Sequence, residues 1–246
     1  MQRDIDNYSK NYLENENSFE KYQVHYRRKN TLEQIQLYKH QRIVEVGCGI
    51  EPLFEYFDDF LSMTVIEPSD KFFRNAVEKS NKNPNIILIN ELFENAQLNT
   101  KLIDFILVSS LLHEVPNVES FLFDIKSKCS EETVVHINVP NSKSFHRLLG
   151  YKSGIINKPE EFSDNNRKFQ INRIFNSLSL KNLVEKAGFE IINSGSYFVK
   201  PFTHQQMKLL LEQNIITEKA LDGFYNMIEY LPDLGSEIYV NVKLKK

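Results

Sequence analysis

Three features of the sequence predict an α/β fold built on a mainly parallel sheet. Runs rich in Ile and Val ("RIVEV", "LSMTVIE", "NIILIN", "DFILVSS", "TVVHINV") alternate with segments of helical spacing as far as Pro140. The runs are continuously apolar, as strands covered on both faces are. The first of them leads straight into Gly47-Cys48-Gly49. Glycines at the carboxyl edge of the first strand let the backbone turn sharply and pass close to a ligand.

Each element follows in order. Residues 18–38 carry Phe19, Tyr22, Tyr26, Leu32, Ile35 and Leu37 at mostly helical spacing, which predicts a helical preface ahead of the first strand, 42–46. A helix is expected over 52–60, with Pro52 in its first turn, where proline lacks no bond. A strand over 61–67 and a helix over 69–80 capped by Ser69 come next. Strands are expected over 85–90 and 104–110, then a helix over 118–129 and a strand over 133–139. Residues 141–177 are polar and interrupted by Gly150, Gly154 and Pro159, the character of an inserted lid. A helix over 179–189, capped by Ser179 and stopped by Gly188, precedes a strand over 190–199. Helical segments near 203–213 and 217–230 and a final strand over 236–245 close the chain.

Composition narrows the function. With 246 residues, 41% of them hydrophobic, the chain can bury one large core. A net charge of -3 gives no basic field, which disfavours nucleic acid as a partner. No apolar run approaches the roughly 20 residues of a membrane span. Cys48 and Cys129 have no metal or redox spacing, so no metal site is expected and a reducing, cytoplasmic setting is.

A dinucleotide site would want G-x-G-x-x-G, but Pro52 occupies the third position. The alternative ligand is S-adenosylmethionine, with an amino-acid tail in place of a pyrophosphate. "VEVGCG" resembles the first motif of class I S-adenosylmethionine-dependent methyltransferases, and so does the acid closing the second strand, Glu67 in "VIEPS". The resemblance continues through "DFILVSSLLHEVPN", "VVHINVPNSKSFHRLL", "LKNLVEKAGFEI" and "PDLGSEIYVNVKL", nearly the whole chain from about Arg27, and is of the small-molecule type, similar to ubiquinone-pathway and sugar or surface-glycan enzymes. The family often has a third glycine where Glu51 stands.

The resemblance implies a Rossmann-like, seven-stranded sheet with an antiparallel last strand. It also implies site residues. Glu45, Gly47, Cys48 and Gly49 would cradle the methionine end of the cofactor, and Glu67 would bind the ribose hydroxyls. Pro68, Phe72, Leu92 and Phe93 would border the adenine, with Ser109 and Ser110 beside the sulfonium.

His113, after the fourth strand, is the candidate base, since imidazole titrates near neutrality; Glu114 is a weaker one. Arg27 and Arg28 are read as an anion clamp for the acceptor, with Tyr22 and Tyr26 closing over it. Asn138, Asn141, His146 and Arg147, past the fifth strand, are further acceptor contacts, and Tyr197, Phe198 and Lys200 further lining candidates. One domain over 1–246 is expected, with residues 1–40 as a helical cap and 141–177 and 201–235 as lid insertions. The activity expected is methyl transfer to a small, anionic or glycan-related acceptor, on oxygen. N-methylation, an NAD-dependent oxidoreductase and a non-catalytic cofactor-binding subunit are the alternatives. The sequence does not specify an oligomeric state.

Overall fold

The computed structural model describes residues 4–13 and 19–245. Residues 1–3 and 14–18 of the expected cap, including Ser18 at the start of the predicted preface helix, lie outside the described residues, as does Lys246. Two helices, α1 (Ile5–Leu13) and α2 (Glu20–Tyr38), lead into β1 (Arg42–Val46), β2 (Ser62–Ile66), α3 (Asp70–Lys79) and β3 (Ile86–Ile89). Then come β4 (Phe105–Ser109), α4 (Val118–Ser127), β5 (Val134–Pro140), α5 (Phe145–Lys152), α6 (Asp164–Lys168) and α7 (Ser177–Lys186). The chain finishes with β6 (Phe189–Tyr197), α8 (His204–Glu212), α9 (Glu218–Asn226) and β7 (Glu237–Leu244).

The seven strands form one sheet in the order β3-β2-β1-β4-β5-β7-β6. Only β7 runs against its neighbours, pairing antiparallel with both β5 and β6. This is the expected Rossmann-like sheet with an antiparallel last strand. The strand order reverses between β1 and β4, which lie in parallel register with Glu45 opposite Leu107. Such a reversal opens a crevice at the strands' carboxyl ends, where Gly47 and Ser109 sit.

The predicted helix over 52–60 is a correction. Only a single 3-10 turn forms there, Leu53–Glu55, and Pro52 itself is extended with ψ 144°. Leu53 and Phe57 are buried because they pack beneath the sheet, not because they share a helical face. The sheet face beside this loop is covered instead by α2, whose Ile35 joins Ile43, Met63, Val65 and Phe105 in one core cluster. Alternate residues of the same strands, Val44, Ile66 and Ile106, point the other way into a cluster with Phe121, Leu122 and Ile125 of α4 and Leu180 and Val184 of α7.

Helix starts show the same local logic with shifted residues. Asn117 caps α4 by accepting from Ser120 N at 2.9 Å. For α7 the cap is Asn176, and Ser179 is its reciprocal partner three positions on, so the expected Ser179 cap is displaced by one turn. Ser69 precedes α3 but makes no capping bond. Gly188, at φ +87°, ends α7 as predicted. Gly150, read as a break, lies inside α5.

Both expected insertions are tied at their bases. Ser142 N donates to Phe175 O at 2.8 Å where the 141–177 excursion leaves β5 and returns ahead of α7, and Ser236 N donates to Phe198 O at 2.8 Å across the second.

Candidate active site

A cavity of about 760 Å³ opens at the carboxyl ends of β1, β2 and β4, a size usual for small-molecule sites. One end is made by the turn after β1. Gly47 and Gly49 have φ +75° and +58°, a conformation glycine adopts without the clash of a Cβ. Nothing lies within 4 Å of the position a Cβ on Gly49 would take, so the turn borders open space.

Two buried carboxylates organise this turn. Glu67, at the end of β2, accepts from Cys48 N (3.1 Å), Gly49 N (3.2 Å) and Ser69 N (2.8 Å). Glu45, inside β1, accepts from Leu53 N at 3.0 Å, and burial pushes its carboxyl up to about 8. Burial also pushes the Cys48 thiol far up, so it fills the turn as a neutral group rather than a nucleophile. Pro68, Phe72, Leu92 and Phe93 supply the apolar wall beside Glu67. These donors and this wall fit S-adenosylmethionine: open space against glycine backbone for the amino-acid tail, a carboxylate for ribose hydroxyls, and apolar side chains for adenine.

Past β4 the chain is strained where it meets the cavity. Ser110 has φ +52°, and strained residues of this kind cluster at functional sites. Asn138 on β5 holds it, its Oδ1 accepting from Ser110 N at 3.0 Å. The amide nitrogen of Asn138 lies 3.2 Å from His136 Nε2, and His136 Nδ1 lies 2.7 Å from Asn241 Oδ1. Asn241 in turn donates to Gln34 of α2 at 2.8 Å. This arrangement assigns the Nδ1–H tautomer to His136, whose pKa burial lowers to about 4. Asn138 is therefore a correction: it is wholly buried in this relay and lies away from the cavity wall.

His113 and Glu114 are both buried in the cavity wall, with His113 Nε2 3.8 Å from Glu114 Oε1. Tyr8 of α1 donates to the same Glu114 oxygen at 3.1 Å. Helix α1 falls within the expected helical cap, but no site role was assigned to it; its Ile5, Tyr8 and Tyr12 repeat at helical spacing and all three line the cavity. Burial raises the Tyr12 phenol to about 12, so it stays a neutral donor.

The far end gathers Glu20, Arg27, His146, Lys200, His204 and Glu237 from five separate places in the chain. Arg27 Nη2 lies 2.5 Å from Glu237 Oε1, and Nε contacts both Glu237 oxygens at 3.0 Å; Glu20 is 3.3 Å away. Arg28 pairs with Glu51 at 2.9 Å and stacks over Tyr56. Both guanidinium groups border the cavity, but each is already answered by a carboxylate, so the pair presents no uncompensated charge. Asn141 spends its amide nitrogen on Asp233 O and Gly235 O. Arg147 clasps the lid through Pro159 O (2.7 Å) and Glu161 O (2.6 Å).

Tyr22 and Tyr26 are also corrections. Tyr22 donates to Glu218 and Tyr26 to Asp222, both on α9, and Tyr26 stacks on Phe198 with ring centres 4.5 Å apart. They join Tyr197 and Phe198 in an aromatic cluster that anchors α2 beneath α8 and α9 and leaves the cavity to other residues. Glu20, His204 and Glu237 had no local signal. Among the described residues no group of three or more His, Cys, Asp or Glu is placed to hold a metal, and no helix is long and apolar enough to cross a membrane.

The architecture recurs in solved structures. A 1,6-didemethyltoxoflavin-N1-methyltransferase from Burkholderia thailandensis, crystallised with 1,6-didemethyltoxoflavin and S-adenosylhomocysteine, aligns over 90% of this chain and 79% of its own at 11% identity and TM-score 0.58. A plantazolicin methyltransferase in complex with S-adenosylhomocysteine aligns over 92% and 85% at 17% identity and TM-score 0.56. The cyclase SpnF aligns over 84% and 75% at 15% identity and TM-score 0.55. At such identities these likenesses show the fold alone, and the cyclase illustrates that one fold can host different chemistry. No curated protein matches the sequence. The sequence itself is more specific, because residues 18–194 match the family model of the methyltransferase domain. With that match over most of its length, and with a glycine turn, a buried carboxylate and an apolar wall that fit the cofactor, the chain belongs to this family and is an S-adenosylmethionine-dependent methyltransferase.

Proposed function

We propose that the enzyme methylates an oxygen of a small, anionic or glycan-related acceptor. S-adenosylmethionine supplies an electrophilic methyl carbon; the chain has to place the acceptor and manage its proton. The observation that carries the reading is His113, buried with Glu114 in the cavity wall directly after β4. A neutral hydroxyl gains positive charge as it forms the new bond, and an imidazole that takes the proton relieves it. Glu114 favours the imidazolium so formed. Most of the acceleration comes from positioning, which α1, α2 and the 141–177 lid support by walling the cavity. The free state of Cys48 and Cys129 supports a cytoplasmic setting.

N-methylation is the second reading. Glu114 in the cavity wall favours it, because a carboxylate attracts a cationic amine. The test uses methyl-labelled S-adenosylmethionine with a panel of hydroxylated and amino metabolites, with the methylated atom of the product assigned by carbon NMR. An O-methyl product is expected; an N-methyl product as the only one overturns the reading. His113→Gln should lower kcat by about a hundredfold while leaving S-adenosylhomocysteine affinity unchanged.

A further inference from the structure

The chain leaves β6 through an abrupt turn. Phe198 has φ +59°, unusual for a bulky residue. Three backbone bonds enforce it: Val199 N to Phe224 O and Lys200 N to Phe198 O, both 2.9 Å, and Ser236 N to Phe198 O, 2.8 Å. The turn delivers Lys200 to the cavity wall, where it is only 3% exposed. No hydrogen bond or ion pair joins its Nζ to a described residue; Nζ lies over the Phe19 ring, 5.9 Å from its centroid.

Charged and titratable groups face it from every side: Glu20 and Arg27 of α2, Glu237 of β7, His146 and Arg147 of α5, and His204 of α8. The two carboxylates are directed elsewhere. Glu237 receives Arg27, Tyr197 and Gln23, and Glu20 faces Arg27 at 3.3 Å and His204 Nδ1 at 3.5 Å. Burial lowers the Lys200 amine to about 7 against the pull of Glu20 and Glu237, and it holds His146 and His204 well below the usual imidazole range.

A buried amine with no partner among the described residues, in a cavity wall, is costly unless a ligand completes it. We propose that Lys200 is the residue that fixes the acceptor, its ammonium receiving a carboxylate or phosphate group, with His146 and His204 as neutral neighbours. The inference rests on taking the far end of the cavity as the acceptor's place, and it moves the anion-binding charge from the Arg27–Arg28 pair to Lys200. An arriving anion raises the amine's proton affinity, so binding takes up a proton and weakens as pH climbs above 7.

The experiment uses the full chain saturated with S-adenosylhomocysteine and carrying 13C at lysine Cε. The Lys200 resonance is assigned with Lys200→Arg. Its pH titration is followed alone, with acetate and with inorganic phosphate. The expected result is a Lys200 midpoint near neutrality that rises by about one pH unit or more with acetate, with phosphate or with both, while the surface lysines stay still. Acetate alone points to a carboxylate acceptor and phosphate alone to a phosphorylated one. A midpoint that neither anion moves overturns the proposal. Lys200→Met should bind S-adenosylhomocysteine in calorimetry as wild type does; loss of that binding overturns the proposal by assigning Lys200 to the cofactor. Neither measurement involves methyl transfer, so a failure here is separate from a failure of the O-methylation reading.

Discussion

At one end of the cavity the lining is strand edge and backbone: Gly47 and Gly49 after β1, Glu67 after β2, Ser110 after β4. At the other end it is side chain, drawn from α2, α5, α8, the turn after β6 and the start of β7. The first end recognises a ligand through groups whose placement follows from where a strand stops. The second depends on packing between elements far apart in sequence. Arg27 and Glu237, its main ion pair, are 210 positions apart. The end proposed for the cofactor is thus a local property of the sheet, and the end proposed for the acceptor a property of the assembled fold. Variants at the first end should act mainly on cofactor affinity, and variants at the second mainly on stability.

The largest expected effect tests the local end. Gly47→Val should abolish measurable S-adenosylhomocysteine binding. The branched residue is strained at φ +75° and fills space the ligand needs, although Leu111 at 3.8 Å is its only near neighbour among the described residues. Calorimetry that finds unchanged affinity would remove the glycine turn from the site. Arg27→Met tests the assembled end. It leaves Glu237 buried without its cation, so stability should fall by about 3–5 kcal/mol, a drop in Tm on the order of 10 °C. If Tm holds and only catalysis suffers, Arg27 serves the acceptor and the contrast breaks.

Glu67→Ala comes next. Loss of charge-assisted bonds should cost about 2–4 kcal/mol of cofactor affinity, roughly 30- to 1000-fold. Because Glu67 also holds three backbone N–H groups of its own protein, Glu67→Gln should retain part of the affinity by keeping one acceptor oxygen. Binding within threefold of wild type in Glu67→Ala would exclude Glu67 as the ribose ligand.

The same contrast explains what could be read from the sequence. The strands were legible because burial on both faces leaves a continuous apolar run, and the glycine turn and Glu67 because they lie at fixed offsets from those runs. The 52–60 segment misled because Leu53, Phe54 and Phe57 obey packing against the sheet, which imitates helical spacing. Asn138 misled because a polar residue at a strand's carboxyl end suggests a ligand; strand alternation puts it on the same face as His136, and only the sheet's register puts it beside Ser109. Arg27 and Arg28 showed charge, but the carboxylates that answer them are visible only after folding.

A smaller effect comes from the relay beneath Ser110. His136 is held neutral, its pKa lowered by burial to about 4 against an unfolded value near 6.5. The unfolded chain therefore binds the proton first, and stability is lost as pH falls through the window from about 6.5 to about 4. Between pH 7.5 and pH 5 this single group should remove about 2 kcal/mol. Other buried groups titrate in the same range, His40 in the same direction and Glu45 in the opposite one. The measurement is accordingly a difference: denaturant unfolding of wild type and His136→Gln at both pH values. If the two proteins lose stability equally on acidification, His136 is not held neutral by the relay.

The smallest effect sharpens the comparison most, because Arg28 is the one residue of the arginine pair that touches the cofactor loop. Its Nη1 lies 2.9 Å from Glu51 Oε2, and its guanidinium sits 3.3 Å from the centre of the Tyr56 ring. Glu51 is exposed, so the ion pair is worth about 0–1 kcal/mol, and the stacking on Tyr56 adds about 0.5–1 kcal/mol. Both contacts brace the segment after Gly49 against α2, and neither reaches the far end. Arg28→Ala should therefore weaken S-adenosylhomocysteine binding by only about two- to fivefold and leave the anion response of Lys200 intact. The part due to the ion pair should shrink further in about 1 M salt, where exposed charges are screened within roughly 3 Å. Calorimetry at low and high salt, with the Lys200 titration repeated in the variant, separates the possibilities. A response confined to cofactor affinity and weakened by salt assigns Arg28 to the local end. A lost anion response with unchanged cofactor affinity assigns it to the acceptor, and the division between the two ends then fails at this residue.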